Sequence, residues 1–339
     1  MNLLPDEEQT QLLDAAVAFL RQEAPVEGGQ TAERARGRMG RGFWTEIAEL
    51  GWIGLGLDEA HGGVGYSLAE EVLFFREFGR HLVSPTILGA VLGARLAAIA
   101  GKADLAGAIL AGKAVVAVSV GVSGAKVGPT VDGRYQVFDA EDADYALFCD
   151  AGGAALIPVA ALVDARKGEC LDERLTLSTV SLAAVAAVAF VPASQEDLFQ
   201  RGAVLSAAML AGMAEASRDI SVEYAKTRQQ FGQAIGGFQA IKHYCADMAV
   251  RCEAATSQVF HAALSVRDGT PQAPLDAAAA KAFSGAVAVE NARISVQVHG
   301  GMGFTEQMTP HLYVKRTQVL DQLFGDRRAH LAAVLTAVA

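Results

Sequence analysis

The sequence predicts a mainly α-helical protein with a central β unit, and three observations carry that prediction. Apolar residues recur at three- and four-residue spacing in QTQLLDAAVAFL (9–20) and SLAEEVLFFREFGRHL (67–82). From about Lys113 to Val191, the short β-branched or alternating runs AVVAVSVGV, RYQVFDA, YALFCD and AALIPVAAL are separated by Gly, Asp and Pro. After Pro192 helical patterning returns over 195–224, 234–268, 272–298 and 311–337. The expected domains are therefore an N-terminal helical domain (1–112), a central β domain (113–193) and a C-terminal helical bundle (194–339).

Each part has its own punctuation. The first contains a loop with two glycine clusters, GLGLDEAHGGVG (54–65), and the last is interrupted at FGQAIGG, at RDGTP and at QVHGGMGF (297–304). The alanine-rich LDAAAAKAF (275–283) favours closely packed helices. With 339 residues, 52% of them hydrophobic, the chain can bury a sizeable core. Its net charge of −10 argues against nucleic-acid partners, which need a basic face to displace counterions. The start, MNLLPDEEQTQ, shows neither a basic leader nor an apolar one, and the longest apolar stretch, LAAVAAVAF (182–190), is too short for a bilayer. These features predict a cytoplasmic protein without membrane partners. Cys149, Cys170, Cys245 and Cys252 form no CxxC pair, and the seven histidines lack ligand spacing, so no metal is expected.

Two segments carry candidate chemistry. Three glycines within four positions, Gly300, Gly301 and Gly303, each cost a helix roughly 1 kcal/mol against alanine, so the backbone there is expected to approach something closely. In YAKTRQQFGQAIGGFQAIKHYCADMA (224–249), Arg228 and Phe231 stand three apart and Gln239 follows, with Gly232, Gly236 and Gly237 interrupting the helix. An arginine at a helix break can give paired, charge-assisted hydrogen bonds to a pyrophosphate, and Phe231 can cover an aromatic ring. The plainer alternative is a surface arginine and a core phenylalanine.

The stretch TRQQFGQAIGGFQAIKHYCADMA closely resembles the signature helix pair of the acyl-CoA dehydrogenase family. FWTEIAELGWIGLGLDEAHGGVGYSLAEEVLFFREFGRHL (43–82) is similar to that family's helical entry domain, and QVHGGMGFTEQMTPHLYVKR (297–316) to its C-terminal glycine turn. The resemblance implies an N-terminal helical domain, a small β-barrel-like domain and a C-terminal four-helix bundle. It also implies FAD as cofactor, an acyl-CoA as substrate and oxidation to the α,β-unsaturated thioester. Arg228, Phe231, Gln239 and the turn Gln297, Val298, His299, Gly300 and Gly301 match the positions that hold the ADP half of a neighbouring chain's FAD.

The same resemblance exposes departures. The β region 117–148 shows neither the family's TEP-type loop nor its Trp-containing strand beside the flavin ring, and both tryptophans, Trp44 and Trp52, lie in the entry domain. The family's glutamate base stands nine residues after an arginine matching Arg316, where this chain has Gly325; a second family location falls at Gly202. Asp326 is the nearest substitute, and it is equally readable as a helix-end residue. Short chains with the HGGxGFT…HLYxKR variant resemble subunits of heteromeric dehydrogenases that act on steroid side chains. The expectation is a non-catalytic member of an α2β2 heterotetramer with a homologous subunit, passing electrons to an acceptor that the resemblance does not identify. The rivals are a self-sufficient homo-oligomer using Asp326 as base and a flavin-free scaffold.

Overall fold

A computed structural model describes residues 7–26 and 39–338. The opening MNLLPD and the segment 27–38, both within the first expected domain, lie outside the described residues. The chain falls into two compact units, one of Met1–Gly28, Val72–Leu82 and Val204–Ala339, the other of Gly29–Glu71 and Val83–Ala203.

In the second unit the runs between Val116 and Pro192 form seven strands: β1 (Val116–Lys126), β2 (Thr130–Phe138), β3 (Tyr145–Asp150), β4 (Gly153–Pro158), β5 (Arg166–Gly168), β6 (Leu177–Ala186) and β7 (Ala189–Pro192). They build one sheet in the order β5-β6-β2-β1-β3-β4-β7, antiparallel except for the β1–β3 pair. Alternate side chains fill its core, where Tyr135 meets Phe148 edge-on at 4.8 Å beside Val137, Ile157 and Val180. Helices α1 (Glu7–Glu23), α2 (Arg41–Glu49), α3 (Leu68–Arg80), α4 (Thr86–Ile99) and α5 (Ala103–Leu110) precede the sheet. Helix α4 is apolar all round because it is buried all round: every residue from Thr86 to Ala94 is buried, and it lies directly on β1. Its start is held by Asp139, whose carboxylate accepts from Ser84 Oγ at 2.6 Å and from the Thr176 amide at 2.9 Å.

In the first unit the bundle is made by α6 (Leu198–Thr227), α7 (Gln239–Arg267), α8 (Ala273–His299), α9 (Pro310–Leu320) and α10 (Arg327–Val338). Where α3 crosses α6 the backbones nearly touch. A Cβ at Gly79 would lie 2.0 Å from the Met209 carbonyl, and one at Gly212 only 1.8 Å from that of Arg76. Only glycine permits that approach. Arg80 then bridges the two helices, donating to Glu215 at 3.1 Å and Asp219 at 2.8 Å. Helix α9 clamps the C-terminal end of α3: Tyr313 Oη donates to the Arg80 carbonyl at 2.7 Å, and buried Arg316 donates to that of Leu82 at 2.8 Å. Asn291, fully buried, joins three helices by donating to the carbonyls of Ala214 and Met248 at 3.3 and 3.2 Å.

The mainly helical architecture with a central sheet is the one the sequence predicts. The continuous helix expected over 311–337 is instead broken between Asp321 and Asp326, where Phe324 (φ +54°) and Gly325 (φ +93°) reverse the chain. Among the described residues no helix is long and apolar enough to cross a membrane.

Candidate functional site

Helix α6 ends at Thr227, and the next residues turn back on themselves. Gln229–Gln230 and Gln233–Ala234 pair as a two-residue hairpin, with Phe231 (φ +51°) and Gly232 (φ +80°) at its tip. Two successive positive φ values make the primed turn that matches strand twist, a conformation suited to Gly or Asn and costly for phenylalanine. Phe231 is nonetheless 91% exposed, edge-on to Phe238 at 6.1 Å. An aromatic side chain held in strained backbone and presented to solvent is a feature that the fold alone does not require. The hairpin base is fixed by the Ile235 amide donating to the Arg228 carbonyl at 2.9 Å. Arg228 itself is exposed, and its guanidinium makes no ion pair among the described residues. A 3₁₀ turn, Ile235–Gly237, leads into α7, whose first residue is the exposed Gln239. The helix break expected from the glycines is thus a hairpin followed by a turn.

The glycine turn lies at the end of α8. Gly300 has φ +61° and ψ −141°, a conformation essentially closed to side chains, and space is open around it: nothing lies within 4 Å of a Cβ built at Gly300 or Gly301. Gln297 is exposed, whereas Val298 and His299 point inward. His299 stacks on Tyr224 at 4.2 Å, and its Nδ1 lies 2.8 Å from the Ser295 carbonyl; burial lowers its pKa. Val298 packs with Ala225, Met248 and Ile294, and Tyr224, Ile235 and Ile241 close over that cluster. One small core therefore ties the end of α6, the hairpin, the start of α7 and the end of α8. It brings Arg228, Phe231 and Gln239 to the same part of the unit as Gln297, Gly300 and Gly301. Val298 and His299 serve that core with their side chains, leaving their backbone to the turn.

An exposed guanidinium, an exposed ring and an open glycine turn form a donor set that suits a nucleotide diphosphate. These residues could hold the diphosphate half of FAD, with Arg228 and the turn amides available to phosphate and Phe231 to an aromatic ring.

The candidate base stands elsewhere in the unit. Asp326 Oδ1 accepts the Ala329 amide at 2.8 Å, and its carbonyl accepts the His330 amide at 3.1 Å, so the residue caps α10. The preceding loop is pinned by a residue that sequence reasoning did not single out. Lys281 on α8, wholly buried, donates to the carbonyls of Asp321 at 2.8 Å and Gly325 at 3.1 Å; its burial lowers its pKa to about 8. The signal was one lysine inside LDAAAAKAF, a charge within an otherwise apolar run. His330 adds a contact of 2.8 Å from Nε2 to the Phe324 carbonyl. The other position compared with a family base, Gly202, is buried in α6; Arg201 before it is paired in the interior with Glu71.

Comparison with known proteins bears on the family and the fold. Residues 6–112 match the model of the acyl-CoA dehydrogenase N-terminal domain, and residues 193–338 that of the C-terminal domain. The chain is 28% identical over 337 residues to acyl-CoA dehydrogenase IpdE2 of Mycobacterium tuberculosis, covering 96% of each. It is 30% identical over 303 residues to acyl-CoA dehydrogenase FadE34 of the same organism, covering 84% of this chain but only 40% of that longer protein. Among solved structures, the Tcur3481-Tcur3483 steroid ACAD G363A variant shares the fold with a TM-score of 0.86 at 24% identity over 98% of each chain. With two models of one family matched at either end, the chain belongs to the acyl-CoA dehydrogenase family of FAD-dependent acyl-CoA oxidoreductases.

Proposed function

We propose that this chain is the non-catalytic member of an α2β2 acyl-CoA dehydrogenase of the cytoplasm, completing the flavin site of a homologous, catalytic subunit. Arg228, Phe231, Gln239 and the turn Gln297–Gly301 hold the ADP half of FAD, and the partner holds the flavin ring and supplies the carboxylate that removes the α-proton. Bound in this way, FAD provides the hydride acceptor for α,β-desaturation of the acyl-CoA. On this chain Arg228 neutralises the diphosphate, Gly300 and Gly301 let backbone amides approach it, and Gln297 hydrogen-bonds to the nucleotide.

The observation that supports the non-catalytic role best is the use made of Asp326. Its carboxylate is engaged as a helix cap, and glycines stand at 202 and 325, so this chain presents no carboxylate at the positions where the family keeps its base. A bulky, steroid-like acyl group is favoured by the likeness to a structure described as a steroid ACAD. Co-expression with a homologous acyl-CoA dehydrogenase subunit tests the reading. The chain purified alone is expected to be colourless, and the complex to carry FAD and desaturate acyl-CoA. A yellow single-chain preparation that turns over acyl-CoA without a partner overturns it.

A further inference from the structure

Apart from the flavin-facing turn and the capped loop, the first unit holds an open cleft of about 760 Å³. That volume falls within the range of roughly 300–1,000 Å³ usual for small-molecule sites. Its lining is mixed: Val17 of α1, Val26, and Ala216 and Ile220 of α6 are apolar, while Arg21, Arg76, Arg80 and Arg218 line it together with the carboxylates Glu77, Glu215 and Asp219. Four guanidiniums against three carboxylates leave one positive charge in excess, since burial holds the pKa of the remaining titratable neighbour, His81, below its ordinary value.

The ion pairs that lock α3 to α6 account for Arg80, which donates to Glu215 and Asp219. They account less well for Arg76. Its guanidinium lies over the ring of Phe260 at 5.9 Å and forms ion pairs with Glu77 and Glu215 at 3.6 Å, longer than a hydrogen bond, and its buried Nε has no hydrogen-bond partner among the described residues. A cleft of this size beside an arginine with an unmet hydrogen-bond donor suits a ligand. A single excess positive charge suits a monoanion. A phosphate dianion would be repelled by the three carboxylates, and the four apolar lining residues call for a hydrocarbon body.

We propose that this cleft binds a long-chain organic carboxylate, its head group on Arg76 and Arg21 and its chain along Val17, Val26, Ala216 and Ile220. The site is separate from the residues assigned to FAD and does not depend on that assignment. Titration calorimetry of the purified chain with laurate, dodecanol and inorganic phosphate tests it, using the parent, Arg76→Gln and Ile220→Asp. Laurate is expected to bind one per chain, with dodecanol and phosphate markedly weaker, and each substitution to weaken laurate by about tenfold or more. If Arg76→Gln fails to fold, Ile220→Asp decides the question from the tail side. Laurate binding left unchanged by the variants places the ligand elsewhere and overturns the proposal. So does phosphate or dodecanol binding as well as laurate.

Discussion

At the scale of single residues, two charged side chains, Asp326 and Arg228, are used in opposite ways. Asp326 is engaged, with Oδ1 on the Ala329 amide, whereas Arg228 is exposed and free of ion pairs among the described residues. A cap is served about equally by Asp and Asn, so Asp326→Asn is expected to leave stability unchanged; Asp326→Ala should lose about 1 kcal/mol in urea unfolding. In the reconstituted complex Asp326→Asn should lower kcat by less than about tenfold, since loss of a true general base commonly costs about 10²–10⁴. A larger loss with flavin intact would make this chain the dehydrogenase itself. For Arg228→Ala the expectation reverses: folding survives, while FAD retention in the complex weakens by about 1.5–3 kcal/mol, measured by equilibrium dialysis. Both residues are legible in the sequence, Arg228 from its place before a glycine-broken helix and Asp326 from its place at a helix end. Their opposite states of engagement are not, because the partner of Asp326 is a backbone amide and the freedom of Arg228 depends on which neighbours fail to reach it.

At the scale of elements, the hairpin at the end of α6 and the loop after α9 show what pattern reading can and cannot supply. Gly232 announces a break, yet nothing in RQQFGQ says that Phe231 will share the left-handed conformation. If Phe231 is kept for a ligand rather than for the turn, Phe231→Asn creates the favoured Asn-Gly hairpin tip. It should then stabilise the chain by about 0.5–1 kcal/mol while weakening FAD retention. Equal flavin retention would return Phe231 to the surface. The loop after α9 does not show in the helical pattern because its cause is about forty residues away: Lys281 donates to the carbonyls of Asp321 and Gly325. That contact carries a pH signature. The unfolded lysine keeps its proton to about pH 10.5, whereas burial makes the folded one release it near pH 8. Between those values the unfolded chain binds the extra proton, so stability should rise with pH, by about 3 kcal/mol across the window. Lys281→Met should remove that rise, and parallel urea titrations of parent and variant from pH 8 to 10.5 will register it.

At the scale of the whole molecule, the proposed function carries a stoichiometry with it. Under the proposed function an interface pairs this chain's ADP-holding segment with the partner's ring-holding domain. The reciprocal pairing would need this chain's β domain, whose sequence offers neither the expected loop nor a tryptophan. One FAD should therefore accompany each pair of unlike chains, about half a flavin per polypeptide, in place of the one per polypeptide expected when every chain serves both roles. Restoring a base should not change that count. Gly325 sits at φ +93°, with its carbonyl held by Lys281, so Gly325→Glu would force a side chain into left-handed backbone. It should cost about 1–2 kcal/mol of stability and give the isolated chain no dehydrogenase activity, because a carboxylate without a neighbouring flavin ring has no hydride acceptor to work with. Flavin absorbance against protein mass, measured on the purified complex and on the Gly325→Glu chain alone, is the deciding pair of measurements. A full flavin per polypeptide, or turnover by the isolated variant, would mean that this chain cradles a flavin of its own.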